Sequence, residues 1–265
     1  MNFSVLISVY NLESPEFFKE SLASIQQQSL RADEVVIVED GPLSPALHTV
    51  INDFRSSLNI KSVVMKHNVG LAQALNAGLQ CCENELVMRM DSDDVCVDGR
   101  FEKQVNFMTE NPSVAACSGQ VEEWDESLKT LFSVRRVPLS YSEIKSFSKR
   151  SNPINHPACI LRKKSVLAVG GYPLVYPEDI YLWAYLLNAG YELRNLPDVL
   201  VKMRAGMSMI NRRGLKTLRG EVGYYRYILS IGMINYLEFF AVVCVRSIVR
   251  LSPGVIRAFM YRNFR

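Results

Sequence analysis

The chain has 265 residues, 48% of them apolar and 22% charged, with a formal net charge of +3. This balance supplies a packed core and argues against a disordered chain, while so mild a positive charge gives no reason to expect a nucleic-acid partner. The length fits one α/β domain with an appendage, or two small domains.

The N-terminal FSVLISVY is a β-branched apolar run and reads as a buried first strand. The opening MNFSVLISVYN has no basic n-region and turns polar at once, so no signal peptide is expected. Pro15 to Gln28 follows with Phe17, Phe18, Leu22 and Ile25 at helical spacing. Next come a strand (EVVIVED), a helix (Pro45 to Phe54), a strand (IKSVVMK), a helix (Gly70 to Cys81) and a fourth strand (ELVMRM). Strands alternating with helices predict βαβ units and a parallel sheet, whose ligands bind beyond the carboxyl ends of the strands. Tyr10-Asn11, Glu39-Asp40 and Asp91-Ser-Asp-Asp94 lie at those ends, where one crevice can collect them.

Asp98 to Glu110 reads as a helix, VAACSGQVEEW as a strand, Leu131 to Val137 as its antiparallel partner, and Tyr141 to Arg150 as a helix. SNPINHPACILRK reads as a loop running into a strand. GGYPLVYPEDIYLWAYLLNAG contains a Gly-Gly turn and a helix opened by an acidic pair, and VLVKMR is the last strand. From Arg212 the chain reads as helices. Ile228 to Val245 approaches the length of a bilayer span, but Glu238 and the series Arg246, Arg250 and Arg257 point to a basic amphipathic helix lying in a membrane interface. Beyond Arg194 the basic residues far outnumber Asp198, Glu221 and Glu238, which suits an anionic surface, either membrane phosphate or a phosphorylated ligand. The six cysteines show no metal-ligand spacing and read as reduced thiols of a cytosolic protein.

Three carboxylates crowded at the end of a buried strand repel one another unless a cation joins them. Hard oxygens of this kind suit Mg²⁺ or Mn²⁺, which would neutralise charge on a departing diphosphate. The competing reading is an Asx-turn that caps the next helix.

Taken together, VLISVYN, VVIVEDG, HNVGLAQALNAGL, MRMDSDD, GGY…PEDIYLWAYLLNAGYEL and NLPDVLVKMR resemble the family 2 glycosyltransferases, in that family's order and spacing, across residues 3–215. The resemblance implies an α/β GT-A fold, Rossmann-like, with a mainly parallel central sheet flanked by helices over residues 1–210. A nucleotide-binding half would span about 1–98 and an acceptor half about 99–210, while residues 211–265, read from their own composition, form the helical, membrane-associating extension. It places Ser8 and Tyr10 in the nucleotide pocket, Asp40 on the base, and Asn68 and Gly70 near the ribose or diphosphate. Asp91 would face the ribose and sugar, and Asp91, Asp93 and Asp94 supply the metal site for Mn²⁺ or Mg²⁺. It makes Asp179 of the pair Glu178-Asp179 the general base. Trp183 is a sugar-stacking platform or a core residue, and His156 an acceptor contact or a structural histidine. Arg204 is a diphosphate ligand, with Arg212-Arg213 in a loop closing over the donor.

Departures from the family pattern are Glu39 where Asp is usual, Tyr181 where many members carry a further aspartate, and Ala205 where many carry His. They bear on the donor and acceptor contacts and leave the aspartate cluster intact. The chain lacks the QxxRW signature of processive synthases, so one sugar per encounter is expected. The implied reaction is an inverting, metal-dependent transfer of a hexose, glucose or galactose, from a UDP-sugar to a polyprenyl-diphosphate-linked saccharide. The linkage would be β, to an N-acetylhexosamine, in O-antigen or another surface polysaccharide, at the cytoplasmic face of the inner membrane. The rival readings are a nucleotidyltransferase, against which the acidic, glycine-free SVYNLESPE argues, and a non-catalytic nucleotide-sugar binding module.

Overall fold

The computed structural model describes residues 1–205 and 215–252. The predicted Arg212-Arg213 loop lies outside the described residues. Strands β1 (Phe3–Val9), β2 (Glu34–Glu39), β3 (Ile60–Val64) and β4 (Leu86–Asp91) form a parallel half-sheet in the order β3-β2-β1-β4. Helices α1 (Pro15–Gln26), α2 (Pro45–Phe54) and α3 (Leu71–Cys81) are the crossovers. Ser14 and Ser44 fix two helix starts, each hydroxyl accepting a backbone N–H three residues on, with Pro15 and Pro45 immediately after them.

Alternation along the strands sends side chains to two cores. Val5, Ile7 and Val9 meet α1, α2 and α4 (Arg100–Glu110), while Leu6, Val36 and Val38 meet α3 and α7 (Glu178–Asn188). Gly78 lets α3 lie hard on the sheet, because a Cβ there would sit 2.4 Å from Leu6 and 2.5 Å from Val38.

The sheet continues through short β5 (Val95–Cys96), β6 (Val114–Trp124), β7 (Leu131–Arg135), β8 (Ile160–Arg162) and β9 (Glu192–Arg204). Beyond β4 the order is β8-β6-β9-β5, with β8 antiparallel to both β4 and β6, and with β7 antiparallel to β6 as its sequence predicts. Between β8 and α7 lies the short α6 (Lys163–Ala168), which the sequence reading did not separate, and α5 (Tyr141–Ser148) precedes the loop to β8. β9 is a correction: VLVKMR is only the end of a 13-residue strand. The register shifts between Ser118 and Gln120, so Pro197 falls in an irregularity where no ladder N–H is needed.

Helices α8 (Leu215–Ser230) and α9 (Tyr236–Leu251) close one flank. Tyr224, Tyr225, Ile228 and Ile234 pack with Ile180 and Ala184 of α7 in a separate small core. No described helix is long and apolar enough to cross a membrane.

Candidate active site

The order β3-β2-β1-β4 reverses direction of growth at β1, and the crevice at such a switch point opens beyond the strand ends. Register places Ser8 beside both Val38 and Asp91, so Tyr10, Asp40 and the aspartate loop emerge side by side. Tyr10 is exposed, while Asp40 is buried. The Asp40 carboxylate accepts the N–H groups of Val69 (2.7 Å) and Gly70 (3.1 Å), bracing the start of α3, and its backbone carbonyl accepts from the Asn68 amide. Gly41 is required beneath this brace: its φ is +88°, and a Cβ would meet the Asn68 nitrogen at 2.7 Å. Asn68 and Gly70 therefore sit beside Asp40 at the start of α3, and Asp40 also works as the missing cap of that helix.

The loop after β4 is held on every side. Ser21 Oγ donates to the Asp91 carbonyl (3.0 Å), Ser92 Oγ donates to Glu13 (2.6 Å), and the Cys96 N–H donates to Ser24 Oγ (3.0 Å). One carboxylate oxygen from each of Asp91, Asp93 and Asp94 lies within 4.8 Å of the others. Burial, reinforced by Asp91 and Glu13, pushes the Asp93 carboxyl up to about 7. Burial followed by repulsion from Asp93 and Asp91 pushes Asp94 well above the usual carboxylate range. Asp94 Oδ2 is buried with no partner. An orphaned buried oxygen within a crowded set of hard donors fits a divalent cation of the Mg²⁺ or Mn²⁺ type.

Arg204 corrects its prediction. Its side chain is 3% exposed and faces protein, not an open diphosphate pocket. The backbone N–H donates to Asp94 Oδ1 (3.0 Å), and Nε donates to the Glu126 carbonyl (2.9 Å). The two terminal nitrogens reach the Asp93 carbonyl and Glu20, with the guanidinium carbon 4.2 Å from the centre of the Phe17 ring. One residue thus ties the aspartate loop to α1 and β9.

Arg89 had no predicted role. It projects from β4 into the core shared by α3 and α7, pairs with Asp91, and leaves Nε and Nη1 buried without partners. It is the buried positive charge among these carboxylates. It also opposes the upward shift of Glu178, which burial, Asp179 and Asp91 push up to about 7. The two acidic clusters are therefore in electrostatic reach of each other. Asp179, at the start of α7, accepts a hydrogen bond of 2.6 Å from the Asn152 amide. Asn152 was missed because nothing in SNPIN marks it in sequence.

Trp183 and His156 take the structural one of the two readings that the sequence left open for each. Trp183 is wholly buried, edge-on to His156 at 5.9 Å between ring centres. His156 is 6% exposed and shares a 3.1 Å hydrogen bond with the Tyr172 hydroxyl. Burial, then the nearby Arg89, holds its pKa well below the usual value, so it stays neutral. Both are core posts under the acidic crevice.

Residues 4–170 match the family described as Glycosyl transferase family 2. The chain is 40% identical over 265 residues to the amylovoran biosynthesis glycosyltransferase AmsE of Erwinia amylovora, covering 99% of each. It is 37% identical to the UDP-Gal:alpha-D-GlcNAc-diphosphoundecaprenol beta-1,3-galactosyltransferase of Escherichia coli, covering 98% of this chain and 95% of that protein. Among solved structures it resembles the mannosyltransferase PcManGT of Pyrobaculum calidifontis in complex with GDP-Man and Mn²⁺. The TM-score is 0.69 at 18% identity, over 93% of this chain and 69% of that one. It also resembles S. aureus TarS 1-349 in complex with UDP, with a TM-score of 0.66 at 18% identity, over 99% of this chain and 75% of that one.

Proposed function

The chain belongs to glycosyl transferase family 2, with the GT-A fold, and from that premise we propose that it transfers a hexose from a UDP-sugar to a polyprenyl-diphosphate-linked saccharide with inversion at the anomeric carbon. The sugar is galactose or glucose and the product a β linkage to an N-acetylhexosamine. The E. coli relative's name, at 37% identity over nearly the whole chain, supports galactose and an undecaprenol-linked acceptor. The work is done peripherally at the cytoplasmic face of the inner membrane, in O-antigen or another surface polysaccharide.

The observation that carries this reading is the cluster of three aspartates after β4, with Asp91 close enough to Glu178 at the start of α7 to help raise its carboxyl. Asp91, Asp93 and Asp94 would hold a divalent cation, Mn²⁺ or Mg²⁺, which supplies Lewis-acid neutralisation of the departing diphosphate. Tyr10, Asn68 and Gly70 line the rim against which the nucleotide lies, with Asp40 beneath them. The acceptor hydroxyl oxygen forms the new bond to the anomeric carbon as the bond to the diphosphate oxygen breaks, and its proton passes to the Asp179 carboxylate. Asn152 fixes the rotamer of that carboxylate by donating to one oxygen, leaving the other for the acceptor.

The test is UDP release from a panel of UDP-, GDP- and dTDP-sugars, with and without Mn²⁺, using a lipid-diphosphate N-acetylhexosamine acceptor. Acceptor-stimulated, metal-dependent release from a UDP-hexose is expected. Release from a GDP- or dTDP-sugar alone would overturn the donor, and silence with every donor would overturn the reaction.

A further inference from the structure

Helix α9 is built inside out. Leu237, Phe240, Ala241, Cys244, Val245, Ile248 and Leu251 recur at three- and four-residue spacing and all face solvent, with Leu237 82% and Ile248 64% exposed. Its charged residues turn toward the protein. Arg250 is buried and donates to both oxygens of Glu221 on α8 (2.9 and 2.5 Å). Arg246 donates to the Tyr225 hydroxyl (3.3 Å) and to the Arg150 carbonyl. Glu238 closes a capping box with Asn235 and pairs with Lys149 at 3.3 Å. Phe239, Val242 and Val243 pack on the small core beside α7. Arg246 and Arg250, which the sequence offered as interfacial cations, are therefore the bolts that fix this helix, and they fix it with its apolar stripe outward.

We infer that this stripe lies in the acyl-headgroup boundary of an anionic lipid surface. The inference rests on the proposed lipid-linked acceptor for its purpose, and on the observed face for its substance. A protein partner would ask for hydrogen-bonding groups on a patch of this size, about one bond per 100–200 Å². Between Leu237 and Leu251 the exposed stripe offers only hydrocarbon and one thiol, which suits lipid tails. Tyr236, 72% exposed at the head of the stripe, has the amphipathic ring of an interface residue. The sequence running on from α9, PGVIRAFMYRNFR, carries Arg257, Arg262 and Arg265, three aromatic residues and no carboxylate. A segment of that composition suits anionic headgroups. Since α7, which carries Glu178 and Asp179, packs on the same small core, α9 fixes the crevice relative to the surface that holds the acceptor.

The test floats the full chain with vesicles of phosphatidylglycerol and phosphatidylethanolamine, and with vesicles of phosphatidylcholine alone. The wild type should float with the anionic vesicles and much less with neutral ones. Leu237→Glu combined with Ile248→Glu should lower partitioning at least tenfold. Both sites are solvent-exposed, so the melting temperature should hold, as should transfer to a water-soluble short-chain acceptor. Transfer to a vesicle-borne acceptor should fall with flotation. Equal flotation of wild type and double variant would overturn the inference. So would a wild-type dimer by light scattering that the variant converts to monomer with flotation unchanged, because the face would then belong to a second copy. Flotation lost in the variant, with no transfer to either acceptor by the wild type, would support the lipid face and count against the proposed reaction.

Discussion

Replacing Arg204 with Ala removes the bond to the Glu126 carbonyl, the contact with the Asp93 carbonyl, the pair with Glu20 and the stack on Phe17. The Glu20 side chain is 56% exposed, so its ion pair is screened and contributes little. The two carbonyls lose charge-assisted donors at about 1.5–3 kcal/mol each, and the aromatic stack is about 1 kcal/mol. Part of this loss is offset because a buried guanidinium no longer has to be desolvated. A net loss of about 3 kcal/mol follows, equivalent to roughly 10 °C in melting temperature for a chain of this size. The larger effect is on the aspartate loop, since Asp93 loses its anchor. Partners of this kind typically alter metal affinity 10–100-fold. Calorimetric titration of Mn²⁺ into the variant, beside a thermal melt, should show both losses, while Arg204→Lys should fall between. Mn²⁺ affinity unchanged in Arg204→Ala, with UDP binding abolished, would refute the reasoning and restore Arg204 as a diphosphate ligand.

Arg89→Met should lower stability, because removing one partner of a buried pair leaves Asp91 and the crowded carboxylates without their compensating charge, and with Asp91 no longer held Mn²⁺ affinity should change; a chemical melt and a Mn²⁺ titration check it. Glu178 is raised from 4.5 to about 7, so between those values the folded protein holds a proton that the unfolded chain has released. Its contribution to stability therefore declines as pH rises through that window, by on the order of 3 kcal/mol. Urea midpoints of the metal-free protein from pH 4.5 to 8 should show a shallower decline for Glu178→Gln, and equal slopes would refute the shift. Trp183→Phe should lower the melting temperature with the acceptor KM unchanged, because the ring is core; a raised KM with an unchanged melt would return Trp183 to a sugar-stacking role.

The parallel half of the fold was legible because its strands and helices carry clean periods and explicit starts, such as Ser14-Pro15 and Ser44-Pro45. The acidic clusters were legible because carboxylates at strand ends are conspicuous in sequence. The structure changes the reading where burial decides. Trp183 and His156 have the residue types of a sugar site, but residue type does not reveal that both are enclosed. Arg89 did carry a signal, as the one basic residue in ELVMRM, whereas the partnership of Asn152 with Asp179 is purely tertiary. On α9 the clue was present: Arg246 and Arg250 fall seven residues after Phe239 and Val243, on the face that packs inward. The first half of β9 was not legible because it contains Pro197, which a strand tolerates only at an irregularity that no local pattern announces.

The central claim is that Asp179 takes the acceptor proton across the crevice from the aspartate loop. The direct measurement is sugar transfer by Asp179→Asn from the UDP-hexose that the wild type uses, beside Mn²⁺-dependent UDP binding by the same preparation. The account predicts transfer reduced by about 10²–10⁴-fold with UDP binding within twofold of wild type, because amide and carboxylate are isosteric and only the base is lost. Turnover near the wild-type rate, with intact UDP binding, would contradict it and place the base elsewhere.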